Sequence, residues 1–205
     1  MTQSLLSRRI PAEPYTQWEP GVRSPGSACG PATMAALMEY WHTWQGAAFI
    51  PGMRHFDTKA AHINNIYSRH GGRPWGMSVR SFTRGIHAYL RSAAGKDGHN
   101  GWQHTVTVFN DMERYIAEID AARPVALKFD KWFSFRWQGD FAYNYHWVLG
   151  IGYEQPAGGK GPVLLVHDNG LRLRDGGYRP GQERRILYLP NQNIITMVAL
   201  DITRA

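Results

Sequence analysis

The chain has 205 residues, which is the size of one ordinary domain. Hydrophobic residues make up 43% of the chain and charged residues 19%, so there is enough apolar material for a core and intrinsic disorder is excluded. The 22 glycines and 12 prolines exclude a coiled coil and favour many turns. The net charge of +7 favours anionic partners, but the basic residues are scattered, so we do not expect a nucleic-acid-binding protein.

The N-terminal segment has no apolar stretch of the length that a signal peptide needs, and no run elsewhere is long enough to cross a membrane. Residues 1–14 are predicted to be a flexible arm, and residues 15–205 are predicted to be a single domain. We therefore expect a cytoplasmic protein without a membrane span. The sequence leaves the oligomeric state open.

Helix-forming patterns are concentrated in the first half of the chain. Residues 31–45 are continuous helix formers with alanines at close helical spacing, which predicts a buried helix. Further helices are predicted over residues 58–70, 78–93 and 111–122, the last two from apolar residues that recur at helical spacing.

After Pro124 the pattern changes to short runs of β-branched and aromatic residues, separated by glycine-rich turns. These runs predict strands over residues 125–129, 143–153, 163–166, 185–189 and 194–200. Helices first and strands later predict an α+β fold, in which the early helices cover one face of a largely antiparallel sheet.

Cys29 is the one cysteine, which excludes a disulfide within the chain and a cysteine-ligated zinc site. A free cysteine is most often a small buried hydrophobe. In Ser-Ala-Cys-Gly-Pro, however, the thiol stands where a loop enters the first predicted helix, because proline is tolerated in a first helical turn. Free N–H groups and the positive end of the helix dipole favour a thiolate there. The sequence predicts a nucleophile with a pKa well below about 8.5.

A thiolate nucleophile needs a base, and His146 is the strongest candidate among nine histidines. Strand alternation puts His146 on one face with Val148, Gly150 and Gly152, whose small side chains would let a helix approach closely. The alternative is a strand histidine satisfied by a backbone carbonyl. His42 lies in the Cys29 helix about 20 Å from the thiol, which excludes it as the base. Solvent exposure is expected for the histidines in polar or loop contexts, which are His55, His62, His70, His87, His99 and His104.

Asp168 follows the predicted strand 163–166, which a glycine-rich hairpin at residues 156–161 connects to the His146 strand. A carboxylate at this position either orients the imidazole of His146 or is an ordinary turn residue before Asn-Gly. His167 should point to the opposite face of the sheet, so we expect it to be structural.

The segment 131–145, KWFSFRWQGDFAYNY, is rich in aromatic residues and leads into the His146 strand. Aromatic side chains serve two purposes at such a position. They either line a groove for an extended peptide or form a half-buried edge of the sheet.

Four segments of the chain resemble the papain-like cysteine peptidases, in this order: IPAEPYTQW, SACGPATMAALMEYW, NYHWVLGIGYE and VLLVHDNG. The resemblance covers about residues 10–170 and is to the bacteriocin-processing, double-glycine peptidase-like branch and its stand-alone relatives. It implies a papain-like α+β fold with Cys29 as nucleophile and His146 as base. It also implies that Asp168 orients His146 and that Gln17 supports the oxyanion hole. No metal or cofactor is implied.

Two positions depart from the family pattern. Gln17 lies farther before Cys29 than in exporter-linked members, and Asn169 follows Asp168 where the family often has proline. The resemblance predicts a cysteine peptidase-like hydrolase that acts on a peptide or protein through a covalent acyl-enzyme. The same triad also suits a transglutaminase-like acyltransferase, because an acyl-enzyme does not dictate whether water or an amine resolves it. A non-catalytic peptide-binding module is the third interpretation.

Overall fold

The computed structural model of the chain describes residues 6–94, 101–156 and 161–204. Helices predicted from apolar spacing are found within a few residues of their expected bounds. The helices of the described residues are α1 (Cys29–Thr43), α2 (Lys59–Arg69), α3 (Val79–Ala94), α4 (Met112–Asp120) and the short α5 (Tyr188–Asn191). Helix α1 begins at Cys29 itself, and α5 occupies part of a segment that was predicted to be a strand.

Side-chain caps fix where three of these helices begin. The Ser78 hydroxyl accepts a hydrogen bond from the Ser81 N–H at the start of α3. The Thr58 hydroxyl accepts a hydrogen bond from the Ala61 N–H at the start of α2. A carboxylate oxygen of Asp111 accepts from the Arg114 N–H at the start of α4. Such caps satisfy backbone donors that have no partner inside the helix.

Nine strands lie within the described residues: β1 (Leu6–Arg9), β2 (Trp102–Phe109), β3 (Val125–Asp130), β4 (Tyr145–Gln155), β5 (Val163–His167), β6 (Leu171–Arg172), β7 (Tyr178–Arg179), β8 (Glu183–Leu187) and β9 (Ile195–Arg204). Seven of them form one sheet with the order β2-β9-β3-β4-β5-β8, and β1 pairs with β4 beyond the end of β3. All of these pairs are antiparallel. The prediction of an α+β fold with a mostly antiparallel sheet is confirmed.

The prediction of a flexible arm over residues 1–14 is wrong for the part that the structure describes. Strand β1 pairs with β4 from Leu6 opposite Gln155 to Arg9 opposite Gly152, and Ile10 is buried behind it. Strand β4 is longer than β3, so its far half would otherwise leave backbone groups unpaired. Residues 1–5 lie outside the described residues, as do residues 157–160 of the predicted glycine-rich hairpin.

Helices pack against both faces of β4. On one face the indole of Trp147 stacks on Phe82 of α3, and its Nε1 donates to the Met77 carbonyl at 2.7 Å. On the other face a Cβ added at Gly150 would lie 2.7 Å from the Tyr115 hydroxyl of α4. The small residues on the His146 face therefore do admit a close helix, and that helix is α4.

Candidate active site

Cys29 opens helix α1 and is almost enclosed, with 5% of its surface exposed. The preceding residue, Ala28, has no side chain that could cap the helix, so no side-chain cap competes for the first N–H groups. The N–H groups of Cys29, Gly30 and Trp147 are placed to donate to the sulfur and lower the pKa of the thiol. Because Trp147 belongs to β4, the thiol lies where the helix start meets the histidine strand.

Burial is nevertheless the largest influence on Cys29, and it raises the pKa of the thiol above its ordinary value. The backbone N–H groups and the charge of Lys128 lower the pKa, but by less. The prediction of a strongly lowered pKa is therefore wrong. The helix end does favour the thiolate, but desolvation outweighs it, because it disfavours the charged form of a thiol removed from water. The sulfur in this environment is protonated at neutral pH.

His146 is the second residue of β4 and lies opposite Phe129 of β3. Part of its surface remains open to solvent. Its ring is enclosed enough that burial lowers the pKa of the imidazole to about 4, although the charge of Asp168 acts in the opposite direction. His146 is therefore neutral at physiological pH, which is the form that can accept a proton.

Two neighbouring cavities contain the predicted site residues. The smaller one, of about 240 Å³, is lined by Cys29, His146 and Gln17, together with Tyr145 and the segments 26–27 and 74–76. The larger one, of about 620 Å³, is lined by His146, Gln17 and Asp168. The structure thus brings all four predicted residues to one place, with His146 and Gln17 shared between the two cavities.

Asp168 lies directly after β5, and its carboxylate accepts three hydrogen bonds from groups other than His146. One oxygen accepts from the Tyr143 hydroxyl at 2.7 Å and from an Arg184 guanidinium N–H at 3.0 Å. The other oxygen accepts from the Gly170 N–H at 2.6 Å. Asp168 acts on His146 through its charge, which raises the pKa of the imidazole.

Tyr143 connects the carboxylate to the imidazole. Its hydroxyl is bound to Asp168, and the centre of its ring lies 4.7 Å from that of His146. Burial and the charge of Asp168 raise the pKa of the Tyr143 hydroxyl, so this group stays protonated and keeps donating to the carboxylate. The ring of Tyr143 therefore supports one side of the His146 imidazole.

Gln17 is buried, and hydrogen bonds hold both its backbone and its side chain. Its backbone N–H donates to the Asn169 carbonyl at 2.9 Å, and its side-chain Nε2 donates to the Pro25 carbonyl at 2.7 Å. A carboxamide nitrogen carries two N–H groups. The bond to Pro25 uses one of them, and the Gln17 side chain also lines the cavity that contains Cys29 and His146.

The sequence analysis missed the structural role of Asn169, whose position it described as a departure from a family pattern. Its side-chain Nδ2 is buried and lies within hydrogen-bond distance of three acceptors, the carbonyls of Cys29 and Trp147 and the hydroxyl of Thr33. The two carbonyl distances are 3.0 and 2.8 Å. Asn169 therefore ties the start of α1 to the strand that carries His146. An amide directly after a strand and beside a candidate catalytic carboxylate is the only signal the sequence offers.

The expectation that the remaining histidines are exposed is wrong for His62 and His70, which are both buried. His62 is held between the hydroxyls of Tyr15 and Tyr89, at 3.2 and 3.0 Å. These tyrosines supply partners inside the protein, so burial lowers the pKa of His62 to about 4 without leaving its ring nitrogens unpaired. His99 lies outside the described residues.

His167, which was expected to be structural, is buried and lines neither cavity of the site. Among residues 6–94, 101–156 and 161–204, no cluster of three or more His, Cys, Asp or Glu side chains is placed to hold a metal ion. No helix in the same part of the chain is both long and apolar enough to cross a membrane.

An α+β fold with a cysteine at the start of a buried helix and a histidine on the adjacent antiparallel strand is the arrangement of a papain-like cysteine peptidase. The model of the Peptidase_C39 like family matches residues 10–185, a range that contains Gln17, Cys29, His146 and Asp168. The chain belongs to this family. No curated protein is similar enough to the chain to be identified as a relative.

Proposed function

We propose that the protein is a cysteine peptidase that cleaves a peptide or amide bond through a covalent acyl-enzyme. The observation that carries this proposal is the cavity that Cys29 shares with His146 and Gln17. It combines a nucleophile, a neutral base and a hydrogen-bond donor in one cavity, as acyl transfer requires.

The reaction starts from a protonated thiol and a neutral imidazole. As the Cys29 sulfur attacks the substrate carbonyl carbon, its proton moves to His146, and the carbonyl oxygen becomes an oxyanion. The Cys29 backbone N–H and the second N–H of Gln17 donate to that oxyanion. His146 then protonates the leaving amine, the C–N bond breaks, and a thioester remains on Cys29.

Water completes the turnover. His146 accepts a proton from a water molecule, and the resulting hydroxide adds to the thioester carbonyl. The thioester C–S bond then breaks, and the sulfur takes its proton back from His146. Asp168 stabilises the imidazolium that forms in both half-reactions, because its charge raises the pKa of His146.

The larger cavity supports an acidic peptide as the substrate. Arg179 and Trp18 line it beside His146, together with Arg184, whose charge is already paired with Asp168. Arg179 is exposed, so it is the cation best placed to bind a substrate carboxylate. The net charge of +7 would attract such a peptide from a distance, and this attraction is screened by salt. By resemblance to the double-glycine branch, a small residue such as glycine would precede the scissile bond.

A fluorogenic peptide library, incubated with the protein at low and high salt, tests this function. We expect cleavage that favours acidic peptides, weakens with salt and disappears in Cys29→Ala. Ser68→Ala, which changes an exposed hydroxyl on α2, should cleave like the wild type and serves as the control. Arg179→Gln should reduce the preference for acidic peptides several-fold, whereas Arg80→Gln, an exposed change on α3, should leave it unchanged.

Three results would contradict the proposal. Cleavage that persists in Cys29→Ala would remove the nucleophile. Amine-dependent mass additions without hydrolysis would identify an acyltransferase. Peptide binding that is equal in the wild type and Cys29→Ala, with no product from either, would identify a non-catalytic module.

A further inference from the structure

Four aromatic side chains protrude from the turn that connects β3 to β4. Trp132, Phe133, Phe135 and Trp137 have 50, 82, 77 and 65% of their surface exposed. None of the four lines either cavity of the candidate active site. These four rings are therefore neither the wall of the candidate substrate groove nor a half-buried edge of the sheet, whereas Tyr143 and Tyr145 of the same segment do line the larger cavity. We call residues 131–137 the aromatic turn.

Hydrogen bonds hold the aromatic turn in one conformation. The carboxylate of Asp130 accepts from the Phe133 N–H at 3.0 Å, and the carbonyl of Lys131 accepts from the Arg136 N–H at 2.9 Å. Asp130 is itself fixed by a 2.7 Å ion pair with Lys128. The rings are thus exposed on an ordered turn and not on a chain without internal contacts.

Phe135 adopts a backbone conformation that is unfavourable for a bulky residue, with φ of 52°. Its N–H donates to the Trp132 carbonyl, which closes the turn and directs the chain back toward β4. Glycine would suit such a position without a steric cost. A phenylalanine that is 77% exposed at a strained position gives the folded protein little packing energy, which points to a use outside the isolated chain.

The charges of the aromatic turn indicate what it binds. Lys131 and Arg136 are its only charged residues, and no carboxylate lies between residues 131 and 139. The Lys131 ammonium lies 4.5 Å from the centre of the Trp132 ring. Exposed Trp and Phe beside Lys and Arg are the combination that partitions into the headgroup region of an anionic bilayer.

We propose that the aromatic turn docks the protein on an anionic membrane surface, with the four rings at the depth of the lipid headgroups and the two cations on lipid phosphates or carboxylates. The turn is attached directly to the candidate active site, because the Lys131 N–H donates to the carbonyl of Asn144, a residue that lines the larger cavity. Docking in this way holds that cavity near the membrane. The cavity is then close to substrates that are anchored at the same membrane surface.

Sedimentation with lipid vesicles tests the docking directly and does not depend on peptidase activity. We expect the wild type to bind vesicles of phosphatidylcholine and phosphatidylserine at least about tenfold more tightly than vesicles of phosphatidylcholine alone, because two cations face the surface. Changing Trp132, Phe133, Phe135 and Trp137 together to serine should weaken binding to the anionic vesicles by at least about tenfold. Trp44→Ser, an exposed tryptophan after the far end of α1, is the matched control and should bind like the wild type.

A second variant separates charge from ring insertion. Lys131→Gln combined with Arg136→Gln removes both cations and leaves the rings in place. This variant should lose most of the preference for anionic vesicles, because that preference depends on the cations. If the fourfold aromatic variant does not fold, Phe133→Ser alone, at the most exposed of the four rings, should still weaken binding several-fold. The proposal is overturned if the wild type binds neither kind of vesicle, or if both aromatic variants bind as tightly as the wild type.

Discussion

Replacing His146 with alanine should lower kcat/KM on a cleaved peptide by about 10³-fold, because general acid–base catalysis by a positioned side chain contributes about 10²- to 10⁴-fold. The loss lies well above the lower end of this range, since burial raises the pKa of the Cys29 thiol and the sulfur depends on His146 to remove its proton. In the same steady-state assay, Asp168→Asn should lower kcat/KM by less, about tenfold. An amide keeps one acceptor oxygen but loses the charge.

The pH dependence follows from the same environment. Burial lowers the pKa of His146 to about 4, so the neutral base is present above that pH and is lost as the pH falls through it. The acid limb of kcat/KM should therefore lie well below the ordinary histidine value of about 6.5, provided that circular dichroism shows the fold intact over the same range. A wild-type acid limb at 6.5 or above, or a full rate in His146→Ala, would contradict the assignment of His146.

Asn169→Ala should lower both the free energy of unfolding and kcat. It removes the amide donor that the buried carbonyls of Cys29 and Trp147 and the hydroxyl of Thr33 share. A buried hydrogen bond contributes about 0.5–1.5 kcal/mol, so we expect a loss of about 2–3 kcal/mol in denaturant unfolding. Because these bonds join the nucleophile's helix to the histidine strand, kcat should fall by about tenfold or more even where the variant is fully folded.

Thr33→Val is the matched control for Asn169. It removes one of three acceptors and leaves the two N–H groups of the amide with two carbonyls to bind, so the link between α1 and β4 persists. We expect a loss of stability of about 1 kcal/mol and a kcat close to that of the wild type. Equal effects of the two substitutions on kcat would show that Asn169 contributes stability only.

The sequence predicted the elements whose own side chains determine them. Helices α3 and α4 follow from apolar residues at helical spacing, and β3, β4 and β5 follow from short apolar runs. Strands β1 and β2 were missed because they lie at the margins of the sheet and carry polar residues. Segment LSRR of β1 is exposed throughout, so only the unpaired far half of β4 explains why it is a strand.

The candidate site, like the fold, was predicted from the sequence only where its features are local. Cys29 and His146 stand out in the sequence because a helix start and a strand are local features. Desolvation depends on the whole fold. The sequence therefore placed Cys29 correctly at the start of a helix but predicted the wrong direction for the pKa of its thiol. The partners of Asp168 also depend on the fold, since pairing of β5 with β8 sets Arg184 opposite Val166 and so beside the carboxylate.

The most direct test of the central claim is to trap the acyl-enzyme. The protein is mixed with a peptide ester whose acyl part matches a cleaved library peptide, quenched with acid within the first turnover, digested and mapped by mass spectrometry. An ester is used because it acylates quickly and lets the thioester accumulate. We expect Cys29 to gain the mass of the acyl group less the one hydrogen that it replaces, and we expect no such adduct in Cys29→Ala. Turnover of the substrate with Cys29 unmodified, or an acyl adduct on another residue that supports turnover in Cys29→Ala, would contradict it.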